Sequence, residues 1–324
     1  MVYSHAHMSS RHAYRLSSVF VLILVCSFAF AGNSALAAHS QKETGTATAD
    51  PVKDATVNLY CRIKAGKKIL GTTGSGVFIS DRGIILTNAH VAQFFLLDEE
   101  EGRVTARCSV RAGSPAKERY TASVLYFPPD WVRQNASELG KNKPKGTGKD
   151  DFALLSVTGS KKGTRPERFP VLPIGLAANL QEEAPVTIAG YPAEKLDFDG
   201  VRTKLAIVTA SSTVTNIQNF GQSTSADILT IAPSDAGSSG ISGGPIINNA
   251  GEVIGIVTSK GAKDNDRTLR AITLSYIDRT IRTQTVLPLR DFLSGDSDAL
   301  AKQTSASRSP DILKTIVSAL LKKK

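Results

Sequence analysis

Four of the chain's five histidines, His5, His7, His12 and His39, lie near its start, and the fifth stands alone in Thr87-Asn88-Ala89-His90. Asp151 opens the run Asp151-Phe152-Ala153-Leu154-Leu155, and Ser242 sits in Gly240-Ile241-Ser242-Gly243-Gly244-Pro245. An alcohol is a poor nucleophile until a base takes its proton, and imidazole suits that task near neutral pH. A carboxylate behind the imidazole fixes its tautomer and steadies the charge it gains. Three such residues in the order His, Asp, Ser point to acyl transfer by an activated serine.

The serine's surroundings fit the same chemistry. Attack on a carbonyl makes an oxyanion, and losing one pre-aimed donor raises the barrier by on the order of 3 kcal/mol. Glycine at 240 tolerates unusual dihedrals, while Gly243 and Gly244 let another backbone come close. Gly240-Ile241-Ser242-Gly243-Gly244 also satisfies the nucleophile elbow of α/β-hydrolases, in which acid and histidine follow the serine. No histidine follows Ser242, and no helices alternate with the strand-like runs, so that fold is excluded.

The elements that would carry these residues read as strands. Short β-branched runs recur between Gly, Pro, Asn and Asp: 57–63, 76–79, 84–87, 104–110, 122–127 and 152–157, then 185–189, 204–214, 228–232, 245–248, 253–259 and 270–274. Such spacing with few long helical periods predicts an all-β fold of barrels or sandwiches. The stretch 158–173, with Gly159, Gly163, Pro166 and Pro170, reads as a connector.

Taken in order, Gly74 to Ile79, Gly83 to Val91, Asp151 to Leu155, Ile188 to Pro192, Gly240 to Pro245 and Gly251 to Thr258 resemble chymotrypsin-like (trypsin-like) serine proteases. Within these the resemblance is to the bacterial Deg or high-temperature-requirement type, without an appended peptide-binding (PDZ) domain, and it covers roughly residues 55 to 282. It implies two six-stranded Greek-key β-barrels with the active site in the cleft between them, followed here by a C-terminal helix. By that likeness His90 is the base, Asp151 its orienter and Ser242 the nucleophile, with the N–H groups of Gly240 and Ser242 as oxyanion donors. Ala236 would lie near the floor of the substrate pocket and Thr258, Ser259 and Lys260 along its wall. The family's acid before the nucleophile is replaced by Ile241, and no Ile-Val-Gly-Gly start is visible, so activation by a freshly cut amino terminus is not expected. Deg-type relatives imply small or medium aliphatic residues at the cleaved bond, whereas Lys260 could narrow the pocket or attract acidic substrates; both stay open.

The start reads as a secretory signal. Arg11 and Arg15 precede the apolar stretch Val19 to Ala31, and Ala35-Leu36-Ala37 offers a small-residue cleavage site. Its removal takes away two arginines and no acids, so the formal charge falls from +10 to +8. It also removes Cys26, leaving Cys61 and Cys108, both in strand-like runs; export to the periplasm or exterior favours a disulfide between them over two buried thiols. The domain reading is 1–37 signal peptide, 38–54 flexible segment, 55–165 first barrel, 166–282 second barrel, and 283–324 linker and basic amphipathic helix.

No clustered His or Cys suggests a metal, and acyl-enzyme chemistry needs no cofactor. Basic residues are scattered without interleaved aromatics, which argues against nucleic acid. Asp150 reads as a solvated loop end beside Asp151, Ser238 and Ser239 as shaping the pocket loop, and Trp131 to Lys149 as a surface insertion. Near the end, Ile312, Leu313, Ile316, Val317, Leu320 and Leu321 share one helical face before Lys322 to Lys324. That helix would either meet a membrane surface or partner protein, or pack back onto the second barrel. The reading that results is an exported serine endopeptidase acting on polypeptides, of unassigned oligomeric state. The rival is a catalytically silent protein- or peptide-binding module on the same fold.

Overall fold

The computed structural model describes residues 50–97, 104–135, 146–221, 225–260, 266–296, 300, 302 and 309–321. The signal-peptide reading, most of the 38–54 segment, the middle of the 131–149 insertion and the terminal lysines lie outside the described residues.

Six strands close the first barrel: β1 (Thr56–Ala65), β2 (Lys68–Ser80), β3 (Ile84–Thr87), β4 (Val104–Ala112), β5 (Lys117–Tyr126) and β6 (Ala153–Ser160). The second comprises β7 (Pro185–Gly190), β8 (Val208–Gln218), β9 (Ile228–Ile231), β10 (Pro245–Ile247), β11 (Val253–Lys260) and β12 (Leu269–Thr273). The strand order is β1-β2-β3-β6-β5-β4 in the first, and β7-β8-β9-β12-β11-β10 in the second. Each barrel therefore makes the same jump, from its third strand to its sixth. This is the expected pair of barrels, and closure leaves neither sheet an open edge.

Three apolar clusters explain the arrangement. Val57, Leu59, Ile63, Phe78, Ile85 and Leu155 belong to the core of the first barrel, and Ile188, Leu229, Ile231, Ile246, Val257 and Ala271 to that of the second. The third joins the barrels: Val77, Leu86 and Leu154 pack with Ile247, Ile256 and Ile272. Strand β3 is consequently buried at every position, which is why it reads Ile-Ile-Leu-Thr rather than alternating.

Among the described residues these α-helices accompany the barrels: α1 (Pro51–Ala55), α2 (Ala89–Ala92), α3 (Pro129–Asn135), α4 (Phe198–Thr203), α5 (Leu274–Thr285), α6 (Leu289–Ser294) and α7 (Pro310–Leu321). The end of the supposedly flexible 38–54 segment is α1, whose first N–H groups are capped by Asp50. The presumed linker after 283 holds α6, whose Leu289 and Phe292 are fully buried between the barrels. Trp131 and Val132 of α3 likewise sit in the first core, so the 131–149 insertion begins as structure and not as surface loop.

Helix α7 corrects a further expectation. It packs against α3 and β4 of the first barrel, not on the second, with Ile312, Ile316 and Leu320 buried in the first core. The face a membrane surface would need is covered; Leu321 is its exposed large hydrophobic.

Cys61 on β1 lies opposite Cys108 on β4, and the two form a disulfide. The bridge closes a span of 47 residues, worth about 4 kcal/mol through the entropy it removes from the unfolded chain. Replacing both by alanine is expected to lower the unfolding free energy by about that amount in urea titration. An unchanged midpoint would show that the bridge contributes nothing.

Candidate active site

His90 enters on α2, directly after β3, and Asp151 directly precedes β6; β3 and β6 are neighbours, paired from Ile84↔Ser156 to Thr87↔Ala153. That register delivers both side chains to one end of the first barrel. His90 Nδ1 lies 2.8 Å from Asp151 Oδ2, and the backbone N–H of His90 donates to Asp151 Oδ1 at 3.0 Å. One carboxylate thus orients the ring while taking up an otherwise unpaired N–H of α2. Asn88 Nδ2 donates to Asp151 O at 2.8 Å, and Gln93 Nε2 to His90 O at 2.7 Å. With Nδ1 turned to the acid, Nε2 is the nitrogen free to act as base.

The imidazole's environment pulls its pKa both ways. Burial disfavours the charged ring, but the charge of Asp151 and the hydrogen bond to it outweigh that, so the pKa stands above its ordinary 6.5. The ring keeps 27% of its surface exposed, as a base that must meet substrate requires.

Ser242 lies in the turn before β10, pressed against the first barrel. Ser75 N–H, on β2, donates to Ser242 O at 2.7 Å, and Ser75 Oγ donates to Gly240 O at 2.8 Å. The same Oγ accepts from Tyr191 N–H at 2.9 Å, just past β7. Gly243 has φ of +84°, and a Cβ there would sit 2.1 Å from Ser75 O and 2.4 Å from Thr87 Oγ1. Only glycine permits that approach, and it sets the nucleophile turn against β2 and β3, three residues before His90. Gly240, at φ +100°, would place a Cβ 2.6 Å from Tyr191 O, so it too is confined to glycine.

Among the described residues the N–H groups of Gly240 and Ser242 make no backbone hydrogen bond, whereas those of Gly243 and Gly244 bond to Val257 O and Ile241 O. Two donors beside the serine are therefore available to an oxyanion. The structure thus joins His90 to Asp151 directly. It brings Ser242 to the same seam through Ser75 and Thr87, without a bond from its hydroxyl to the ring among the described contacts. Such bonds characteristically tighten when substrate arrives.

A family model described as trypsin-like peptidase domain matches residues 74–256, more than half of the chain. The chain belongs to that family. Among 821 matching solved chains is the Rv3671c protease from M. tuberculosis in its active form, 22% identical with a TM-score of 0.43; the match covers 71% of this chain and 80% of that one. Another is an inactive serine-to-alanine mutant of Rv3671c, 20% identical with a TM-score of 0.43, covering 72% and 87% of the two chains. No curated protein matches.

This trypsin-like peptidase replaces the turn's usual acid by packing. Ile241 is buried in the second core, its Cδ1 lying where a Cβ on Gly190 would come within 2.4 Å. Ala236 is fully buried and Thr258 nearly so; Ser259 and Lys260 are half-buried at the end of β11. Asp150 is not a solvated loop end. It is buried at φ +57°, accepts from Tyr276 Oη at 2.8 Å and donates its N–H back to that oxygen at 3.2 Å. Burial first, and then the charge of Asp150, push the Tyr276 pKa upward, so its hydroxyl stays a donor.

Ser75, Asn88 and Tyr276 escape sequence reasoning as site residues. The Ser75 and Tyr276 partners lie more than a hundred positions away, although Ser75 and Asn88 fall within stretches that carry the family resemblance. Ser75→Ala leaves the half-buried Gly240 carbonyl and the buried Tyr191 N–H unpaired. It is expected to cost about 1–3 kcal/mol of stability and to lower kcat at least about tenfold with KM little changed. Unaltered kcat would show that the turn holds its shape without that hydroxyl.

Proposed function

We propose that the chain is an exported serine endopeptidase in which His90 is general base, Asp151 its orienter and Ser242 the nucleophile. The observation that carries this is the paired bond from one carboxylate to both the ring and the backbone N–H of His90, at the seam where the Ser242 turn is tied down. In the first half-reaction Nε2 takes the Ser242 proton as Oγ attacks the peptide carbonyl. The oxyanion is met by the N–H groups of Gly240 and Ser242, and Nε2 returns the proton to the leaving amine. Water, activated by the same nitrogen, then hydrolyses the acyl-enzyme. Export is supported by the signal-like start and by a disulfide suited to an oxidising compartment.

A fluorophosphonate probe should label the purified protein on Ser242 and fail to label Ser242→Ala, as read by intact mass. Folded protein that takes up no label would favour the silent binding module instead.

The pH dependence follows from the raised His90 pKa. The pair with Asp151 favours the protonated ring, so its contribution to stability is full below about pH 6.5 and is lost as pH rises through the folded value. Catalysis needs the neutral ring and runs the opposite way, so kcat/KM climbs through the same titration. Asp151→Asn removes the charge that lifts the pKa. The acid limb should shift to lower pH and the rate fall by about four orders of magnitude; a limb that stays in place would show that His90 is not the titrating base.

A further inference from the structure

A feature that this catalytic reading leaves unused is the ion pair between Lys260 and Glu194, which ties the end of β11 to the loop that follows β7. On one side Gly243 N–H donates to Val257 O at 2.8 Å and Val257 N–H to Gly244 O at 2.9 Å, so Thr258, Ser259 and Lys260 lead away from Ser242. On the other side run Ala236 to Gly240, where Ala193 N–H donates to Ser239 O at 2.7 Å. The Glu194 carboxylate is held below its usual pKa range by the Lys260 bond first, with Ser238 and Ser239 helping. Lys260 Nζ donates to Glu194 Oε1, on the loop that Ala193 ties to Ser239. By the family resemblance, these two segments are the walls between which the side chain before the cleaved bond would enter.

The charges around this opening are unequal. Ala236, which the family resemblance places at the pocket floor, is fully buried in the second core, and Asp235, 92% exposed and paired with Arg267, stands in solvent. Thr258 Oγ1 donates to Arg270 O at 3.2 Å. Lys260 is the more sheltered member of its pair, 24% exposed against 42% for Glu194. The wall therefore offers a substrate an ammonium group that is already paired with a more exposed carboxylate.

Resting on the endopeptidase reading, we propose that Lys260 selects substrates with aspartate or glutamate before the scissile bond, and that Glu194 stands in for that carboxylate while the pocket is empty. A rim ion pair contributes little and opens readily. An incoming carboxylate replaces one charge-assisted hydrogen bond by another, whereas a neutral side chain has to break the pair without restoring it. A basic side chain meets Lys260 as a like charge.

The test is a set of peptides identical except for Glu, Gln, Asp, Leu or Arg before the cleaved bond, assayed on the full chain. Wild type should cleave the Glu peptide about tenfold or more faster in kcat/KM than the Gln peptide of the same shape. That ratio should fall towards one in Lys260→Ala and rise in Glu194→Gln, which removes the competing charge; thermal unfolding of each variant checks its fold. Equal cleavage of Glu and Gln by wild type, or a ratio that survives Lys260→Ala, overturns the assignment, as does a preference for Arg. Fluorophosphonate labelling separates the two claims: a labelled enzyme indifferent to Glu and Gln sinks this assignment alone. An unlabelled, inactive protein sinks the endopeptidase reading and this one with it.

Discussion

Ser75 belongs to the first barrel, yet three of its hydrogen bonds reach the second: to Ser242 O, to Gly240 O and from Tyr191 N–H. A site whose base and nucleophile come from separate barrels works only if their separation is held to a fraction of an ångström. The apolar layer between the barrels fixes that separation coarsely, because hydrophobic contact is not directional. Hydrogen bonds are directional, and these are aimed at the two carbonyls on either side of Ile241. The oxyanion donors and the serine are therefore referred to the same strand that pairs with β3, just before His90.

The other half of the site is held from behind. Asp151 is joined to His90 and to Asn88, while its neighbour Asp150 is clasped by Tyr276 of α5. Helix α5 in turn packs with α6 in the layer between the barrels. The disulfide and α7 brace the first barrel on β4, away from β3 and β6, which present the imidazole and the carboxylate. Much of what lies beyond the barrels in sequence thus serves to steady the half that carries the base.

The two barrels were legible because β-branched runs, turn residues and family resemblance agreed from 55 to 282. His90 stood out by scarcity, Asp151 by its place before an apolar strand and Ser242 by its glycines. The supports were not legible. Ser75 looks like any serine beside glycine, and nothing near Asp150 announces a tyrosine 126 positions on. The fate of α7 was also hidden: its apolar face was plain, but amphipathicity states that a face must be covered without saying by what. Residues 283–324 read as linker and terminal helix, yet Leu289 and Phe292 within them are fully buried.

Ile241 has a consequence for when the molecule is competent. In a turn that waits for a partner amine, an unpaired acid keeps the donors out of place until a neighbour is severed. Here a buried aliphatic side chain has no such demand, and among the described residues the N–H groups of Gly240 and Ser242 make no backbone hydrogen bond. The packing of Ile241 is complete once the second core has formed, so the shape of this loop depends on no cut elsewhere in the chain.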